Sequence, residues 1–126
     1  MRSVLVIDDS EFMQERLEDC LNNFNSLKVV GKAFNGEEGV AMYKDLRPNI
    51  VFLDINMPGC SGRDTLLQIL STDKKAFVIM CSTIGCENMI KECIEYGAQY
   101  YLLKPFTKAK VEEVVRDVID PACPAK

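Results

Sequence analysis

Three aspartates, a serine and a lysine stand at the ends of apolar runs in this 126-residue chain. The runs are Val4-Leu5-Val6-Ile7 before Asp8-Asp9, Ile50-Val51-Phe52-Leu53 before Asp54, Phe77-Val78-Ile79-Met80-Cys81 before Ser82-Thr83, and Tyr100-Tyr101-Leu102-Leu103 before Lys104-Pro105. An apolar run without alternation, bounded by polar or turn-forming residues, reads as a strand buried on both faces of a parallel sheet. Open sheets of that kind bind ligands at the carboxyl ends of their strands, so these groups are expected to meet at one edge. Crowded carboxylates repel one another, and burial would protonate one of them. A hard divalent cation removes the conflict, and Mg²⁺ is typically held by one or two carboxylates together with phosphoryl oxygens. Asp54 ends the most central run and is the candidate nucleophile for an aspartyl phosphate. Lys104 would neutralise charge on the phosphoryl oxygens, and Ser82 could donate a hydrogen bond to one of them once the group is attached.

Helical patterns must separate these strands and hold them in register. Met13, Leu17, Cys20, Leu21 and Phe24 predict a first helix capped by Ser10. A second strand, about Lys28 to Phe34, leads through Asn35-Gly36 to a helix carrying Val40, Tyr43 and Leu46, which stops before Pro48. Asn56 to Gly62 is a loop of turn-formers, followed by a helix with Leu66, Leu67 and Leu70. Met89, Ile90, Cys93 and Ile94 mark a fourth helix closed by Gly97. Val111, Val114, Val115, Val118 and Ile119 mark a fifth, begun by Thr107 and ended near Pro121. Strict alternation predicts an α/β, flavodoxin-like fold: a five-stranded parallel sheet with five helices on both faces. The second strand ends without a charged group and so belongs at an edge, giving the order 2-1-3-4-5, with Asp8, Asp9 and Asp54 converging at the switch point.

The length fits one domain, near the common size of ~100–150 residues. We read residues 1–120 as that domain and 121–126 as a flexible tail, or the start of a linker. A formal charge of -4, a pI near 4.9 and no basic block argue against nucleic-acid binding. No apolar run approaches the roughly 20 residues of a membrane helix, and Asp8 cuts the first run too short for a signal peptide. A cytoplasmic monomer is the expectation. The six cysteines have no CxxC spacing and the chain has no histidine, which disfavours zinc and favours reduced, packed thiols. Cys60, in a glycine-containing loop beside the proposed site, is the one thiol placed to react, although structural filler is the favoured reading for it as well.

The ordered set Val6-Ile7-Asp8-Asp9-Ser10, Leu53-Asp54-Ile55-Asn56-Met57-Pro58, Gly62, Met80-Cys81-Ser82 and Leu103-Lys104-Pro105-Phe106 resembles the receiver domains of two-component response regulators. Among them it is most similar to the single-domain chemotaxis regulators, from about Ser3 to Ile119. The resemblance implies that Asp54 is the phosphoacceptor and that Mg²⁺ is bound by Asp8, Asp9, Asp54 and the backbone carbonyl of Asn56. It implies a Lys104 paired with the phosphoryl group and joined to Pro105 by a cis bond. Ser82 becomes a switch hydroxyl, and Tyr101 an aromatic that swings between exposed and buried positions. A sensor histidine kinase must supply the phosphoryl group, since this chain has no histidine, and a target protein would read the face of the fourth helix, fifth strand and fifth helix. Such a protein is not an enzyme beyond self-phosphorylation from a donor and slow autodephosphorylation. Thr83 is larger than the family's usual residue and is expected to crowd the site. Asn56 and Ile84 flank the approach of water, and an apolar Ile84 cannot orient it, which predicts a long-lived phosphoryl group.

Other readings compete with this one. A haloacid-dehalogenase-type phosphohydrolase also uses an aspartyl phosphate, but its nucleophile follows the first strand in a DxD pattern, whereas this chain has Asp8-Asp9-Ser10. A flavin-binding protein of the same sheet order would need a phosphate loop where the acidic pair stands. A receiver belonging to a longer regulator with a DNA-binding or enzymatic output domain is compatible with the proline-containing tail.

Overall fold

In the computed structural model, residues 2–57, 61–83 and 85–119 are described. The expectations placed on Cys60, Ile84 and the tail fall outside them. Five strands alternate with five helices: β1 (Arg2–Ile7), α1 (Glu11–Leu21), β2 (Leu27–Ala33), α2 (Gly36–Leu46), β3 (Ile50–Asp54), α3 (Gly62–Thr72), β4 (Val78–Thr83), α4 (Glu87–Tyr96), β5 (Tyr100–Lys104) and α5 (Lys108–Val114). α5 runs on as a π-helical segment, Val115–Ile119. All pairings are parallel, in the order β2-β1-β3-β4-β5.

The central runs are apolar throughout because the sheet has two cores. Val4, Val6, Ile50, Phe52, Ile79 and Cys81 face α1 and α5, among Leu17, Leu21, Val111 and Val114. Leu5, Ile7, Val51, Leu53, Val78 and Met80 face the other way, among Val40 and Tyr43 of α2, Leu66 and Ile69 of α3, and Ile90 and Cys93 of α4. Side chains alternate along every strand, but both sides are dry.

The outer strands break this rule. β5 alternates, with Leu102 buried while Tyr101 and Leu103 are exposed, so its reading as doubly buried is corrected. It lies at the sheet edge with β4 alone beside it, and the face that carries Tyr101 and Leu103 stays partly open. β2, at the opposite edge, alternates too, and its register with β1 slips between Val4 and Leu5. That irregularity blunts an edge against pairing with another chain.

Several helical stripes differ from expectation in detail. Leu46, Leu67 and Ile94 are exposed, while Leu66 and Ile69 carry the contact of α3. Phe24 lies beyond α1 in the turn before β2, yet is fully buried. The start signals at Ser10 and Thr107 hold: each accepts a hydrogen bond from a backbone N–H in the first turn it precedes, as do Asn35 and Ser61, which the sequence reading placed only in turns. Gly97 ends α4 at φ 131°, a conformation that side-chain-bearing residues avoid.

Candidate functional site

At the carboxyl ends of β1, β3, β4 and β5 the sheet collects its ionisable groups. Carboxylate oxygens of Asp8, Asp9 and Asp54 all lie within 4.8 Å of one another. Asp8 follows β1 and is held from two sides: its backbone N–H donates to the Ala33 carbonyl at 3.0 Å, and its Oδ1 accepts from the Ser10 N–H at 2.9 Å. Asp54 ends β3, and its Oδ1 accepts from the Asn56 N–H at 3.3 Å. Asp8 and Asp54 are buried, whereas Asp9 is exposed.

Lys104, at the end of β5, reaches back over the strand ends to both buried acids. Its Nζ lies 2.7 Å from Asp8 Oδ2 and 3.2 Å from Asp54 Oδ1. The following Lys104–Pro105 bond is cis. Burial acts to lower the Lys104 pKa, but the hydrogen bond to Asp8 and the charge of Asp54 outweigh it and the value is raised. Burial is the main reason that the Asp54 carboxyl is pushed up to about 6; the charge of Asp8 adds to that, and Lys104 opposes it. One ammonium therefore faces three carboxylates, and the acidic group nearest the centre is left reluctant to ionise.

Ser82 and Thr83 end β4. The Ser82 side chain is fully buried, and its hydroxyl donates to the Thr83 carbonyl at 3.0 Å. Thr83 is exposed, beside Asn56. Tyr101 is 40 % exposed on the outer side of β5, its ring stacked on Tyr100 at 5.3 Å between centroids. The structure thus gathers Asp8, Asp9, Asp54, Asn56, Ser82 and Lys104 at one rim and leaves Tyr101 on the adjoining outer face.

Gln14 and Cys86, to which the sequence reading gave no site role, shape this rim together with Gly62. Gln14, a polar side chain on the buried stripe of α1, donates to the carbonyls of Asp8 at 2.9 Å and Ala33 at 2.7 Å, tying the ends of β1 and β2 together. Its signal was a glutamine in register with Leu17 and Leu21. Gly62 starts α3 against the end of β3, where a Cβ would lie 2.3 Å from the Asp54 carbonyl oxygen and 2.5 Å from Ile55 Cα. Cys86, just before α4, has its Sγ 3.5 Å from Asn56 Nδ2 and 4.0 Å from Thr83 Oγ1. Hydrogen bonds with Asn56, Ser82 and Thr83 hold its thiol below the usual value. By contrast, burial pushes Cys81 up to about 12 and Cys93 up to about 11, in keeping with packed, inert thiols.

The sequence model of the response regulator receiver domain matches residues 4–116. "Protein CcdB" of Bacillus subtilis is 40 % identical over 119 residues, covering 94 % of this chain and 98 % of that protein. The chemotaxis protein CheY of Thermotoga maritima is 38 % identical over 117 residues, covering 93 % and 97 %. Among solved structures, the CheX-CheY-BeF3-Mg²⁺ complex from Borrelia burgdorferi superposes with a TM-score of 0.87 at 37 % identity, covering 94 % of this chain and 89 % of that one.

Proposed function

The chain belongs to the response regulator receiver domain family of two-component signalling, and from that premise we propose that it is switched by a phosphoryl group taken onto Asp54 from a phosphohistidine of a partner kinase. The observation that carries this reading is the pairing of Lys104 with both Asp8 and Asp54 inside a cluster of three carboxylates. A haloacid-dehalogenase-type phosphohydrolase would carry its nucleophile in a DxD pattern after the first strand, where this chain has Asp8-Asp9-Ser10.

The donor set fits Mg²⁺. Three carboxylates against one ammonium leave negative charge that a divalent cation neutralises, and all the ligands are hard oxygens. Asp8, Asp9, Asp54 and the backbone carbonyl of Asn56 would hold it. When bound, it supplies charge neutralisation for the phosphoryl oxygens. The residues of the chain do the rest. A carboxylate oxygen of Asp54 forms the new P–O bond as the P–N bond of the donor breaks, and the electron pair leaves with the imidazole nitrogen. Lys104, already beside Asp54, changes partner from carboxylate to phosphoryl oxygen.

Ser82 gives the switch its second state. Its hydroxyl is engaged by the Thr83 carbonyl, a bond it would exchange for one to a phosphoryl oxygen, drawing the end of β4 inward. Beside that strand, Ile90 and Ile94 of α4 with Tyr101 and Leu103 of β5 line a groove of about 480 Å³. Inward movement of Tyr101 would reshape it, and a target protein would read the α4–β5–α5 face accordingly.

Incubation with acetyl phosphate and Mg²⁺, followed by intact mass, tests the reading. Wild type gains the mass of one phosphoryl group and Asp54→Asn gains none. Equal uptake by the two proteins, or none by the wild type, overturns it.

A further inference from the structure

Asn56 does two things at once. Its backbone N–H donates to Asp54 Oδ1 at 3.3 Å, which fixes the residue beside the acceptor. Its side-chain amide turns the other way, with Nδ2 3.5 Å from Thr83 Oγ1 and 3.5 Å from Cys86 Sγ. Thr83 Oγ1 and Cys86 Sγ are themselves 4.0 Å apart, so the three side chains close a small polar clasp between the β3–α3 loop, the end of β4 and the start of α4. Cys86 occupies the position before α4, yet its side chain makes no capping hydrogen bond to that helix. Its polar contacts are to Asn56 and Thr83 of the clasp and to Ser82.

An aspartyl phosphate is lost when a water oxygen attacks phosphorus in line with the Asp54 oxygen. The new P–O bond forms as the old one breaks, the electron pair returns to the Asp54 carboxylate, and both protons of the water leave on inorganic phosphate. Nothing but water is consumed. The rate depends on whether a side chain holds that water in line. Asn56, whose backbone is anchored to Asp54, carries an amide able to do so from the acceptor loop, and the clasp keeps that amide occupied.

We propose that Cys86 is a positioning residue: by holding the Asn56 amide in the clasp it withholds that amide from the attacking water and lengthens the phosphoryl lifetime. This rests on Asp54 being the phosphoacceptor. The same contacts join the acceptor loop to the residue that immediately precedes α4, the helix that borders the output groove.

The test is the decay of the phosphorylated full chain, loaded with acetyl phosphate and Mg²⁺, stripped of donor and followed by intact mass. Cys86→Ala frees one partner of the amide and shortens the lifetime about fivefold, the change that one released hydrogen bond of ordinary strength supports. Cys86→Ser, which restores a polar partner, returns most of it. On an Asn56→Ala background, which keeps the backbone carbonyl and N–H, Cys86→Ala adds nothing further. An unchanged or longer lifetime in Cys86→Ala, or an equal acceleration with and without the Asn56 amide, overturns the proposal while leaving the phosphoacceptor reading intact. No uptake by any of these proteins, wild type included, overturns both.

Discussion

β3 and β5 look alike in the sequence, each an apolar run closed by a charged residue, and behave differently in the structure. β3 is buried along its whole length, whereas in β5 Tyr101 and Leu103 are 40 % and 36 % exposed. The cause is position. β3 has β1 on one side, β4 on the other and a core on each face, while β5 pairs with β4 alone. The carboxylate of Asp54, the proposed acceptor, is thereby mounted on a strand buried throughout, and Lys104, which contacts it, on a strand that packing holds less. A change in the partner of Lys104 is felt where the structure can yield.

The widest gap between the two strands is expected in stability. Phe52→Ala removes a fully buried ring from β3 and costs about 3–5 kcal/mol, whereas Leu103→Ala on the outer side of β5 costs under about 1 kcal/mol. Urea denaturation measures both, and similar losses would mean that β5 is as firmly held as β3. Chemistry should separate the strands the other way. Lys104→Met, at the end of the weaker strand, lowers the rate of phosphoryl uptake by on the order of 10²-fold, since a preorganised charge at the phosphoryl oxygens is lost. Its Mg²⁺ affinity rises by roughly tenfold, because the ammonium competes with the cation for Asp8 and Asp54. Weaker Mg²⁺ binding in Lys104→Met would show that the lysine orders the carboxylates and does not compete for them.

This contrast also marks how far the sequence could be read. Sheet order, the starts of α1, α2 and α5 and the convergence of Asp8, Asp9, Asp54, Ser82 and Lys104 were legible, because buried parallel strands and capping residues leave strong local patterns. The uneven burial of β5 was not. A run of tyrosines and leucines has the same pattern whether or not a helix covers it, and coverage is a property of the assembled layers. Gln14 and Cys86 stayed hidden for a related reason. Each acts through partners far away in sequence, Ala33 for one and Asn56 for the other, and neither belongs to a local motif.

A last comparison probes how far burial sets the character of Asp54. Its carboxyl is raised from 3.8 to about 6, so the folded protein binds this proton more tightly than the unfolded chain does. Stability from this group is therefore fully present below pH 3.8 and is lost as pH rises to about 6. Asp54→Asn removes that penalty and leaves Lys104 paired with Asp8. In metal-free protein the variant should exceed the wild type by about 1–3 kcal/mol at neutral pH, the span set by how much of the lost Lys104 pairing offsets the gain. The difference shrinks toward zero under acid conditions, and Mg²⁺ narrows it at neutral pH by binding the wild type more tightly. Urea denaturation of both proteins across that pH range measures it. A variant less stable than the wild type at neutral pH would mean that the ion pair with Lys104, and not burial, governs the acceptor strand's end.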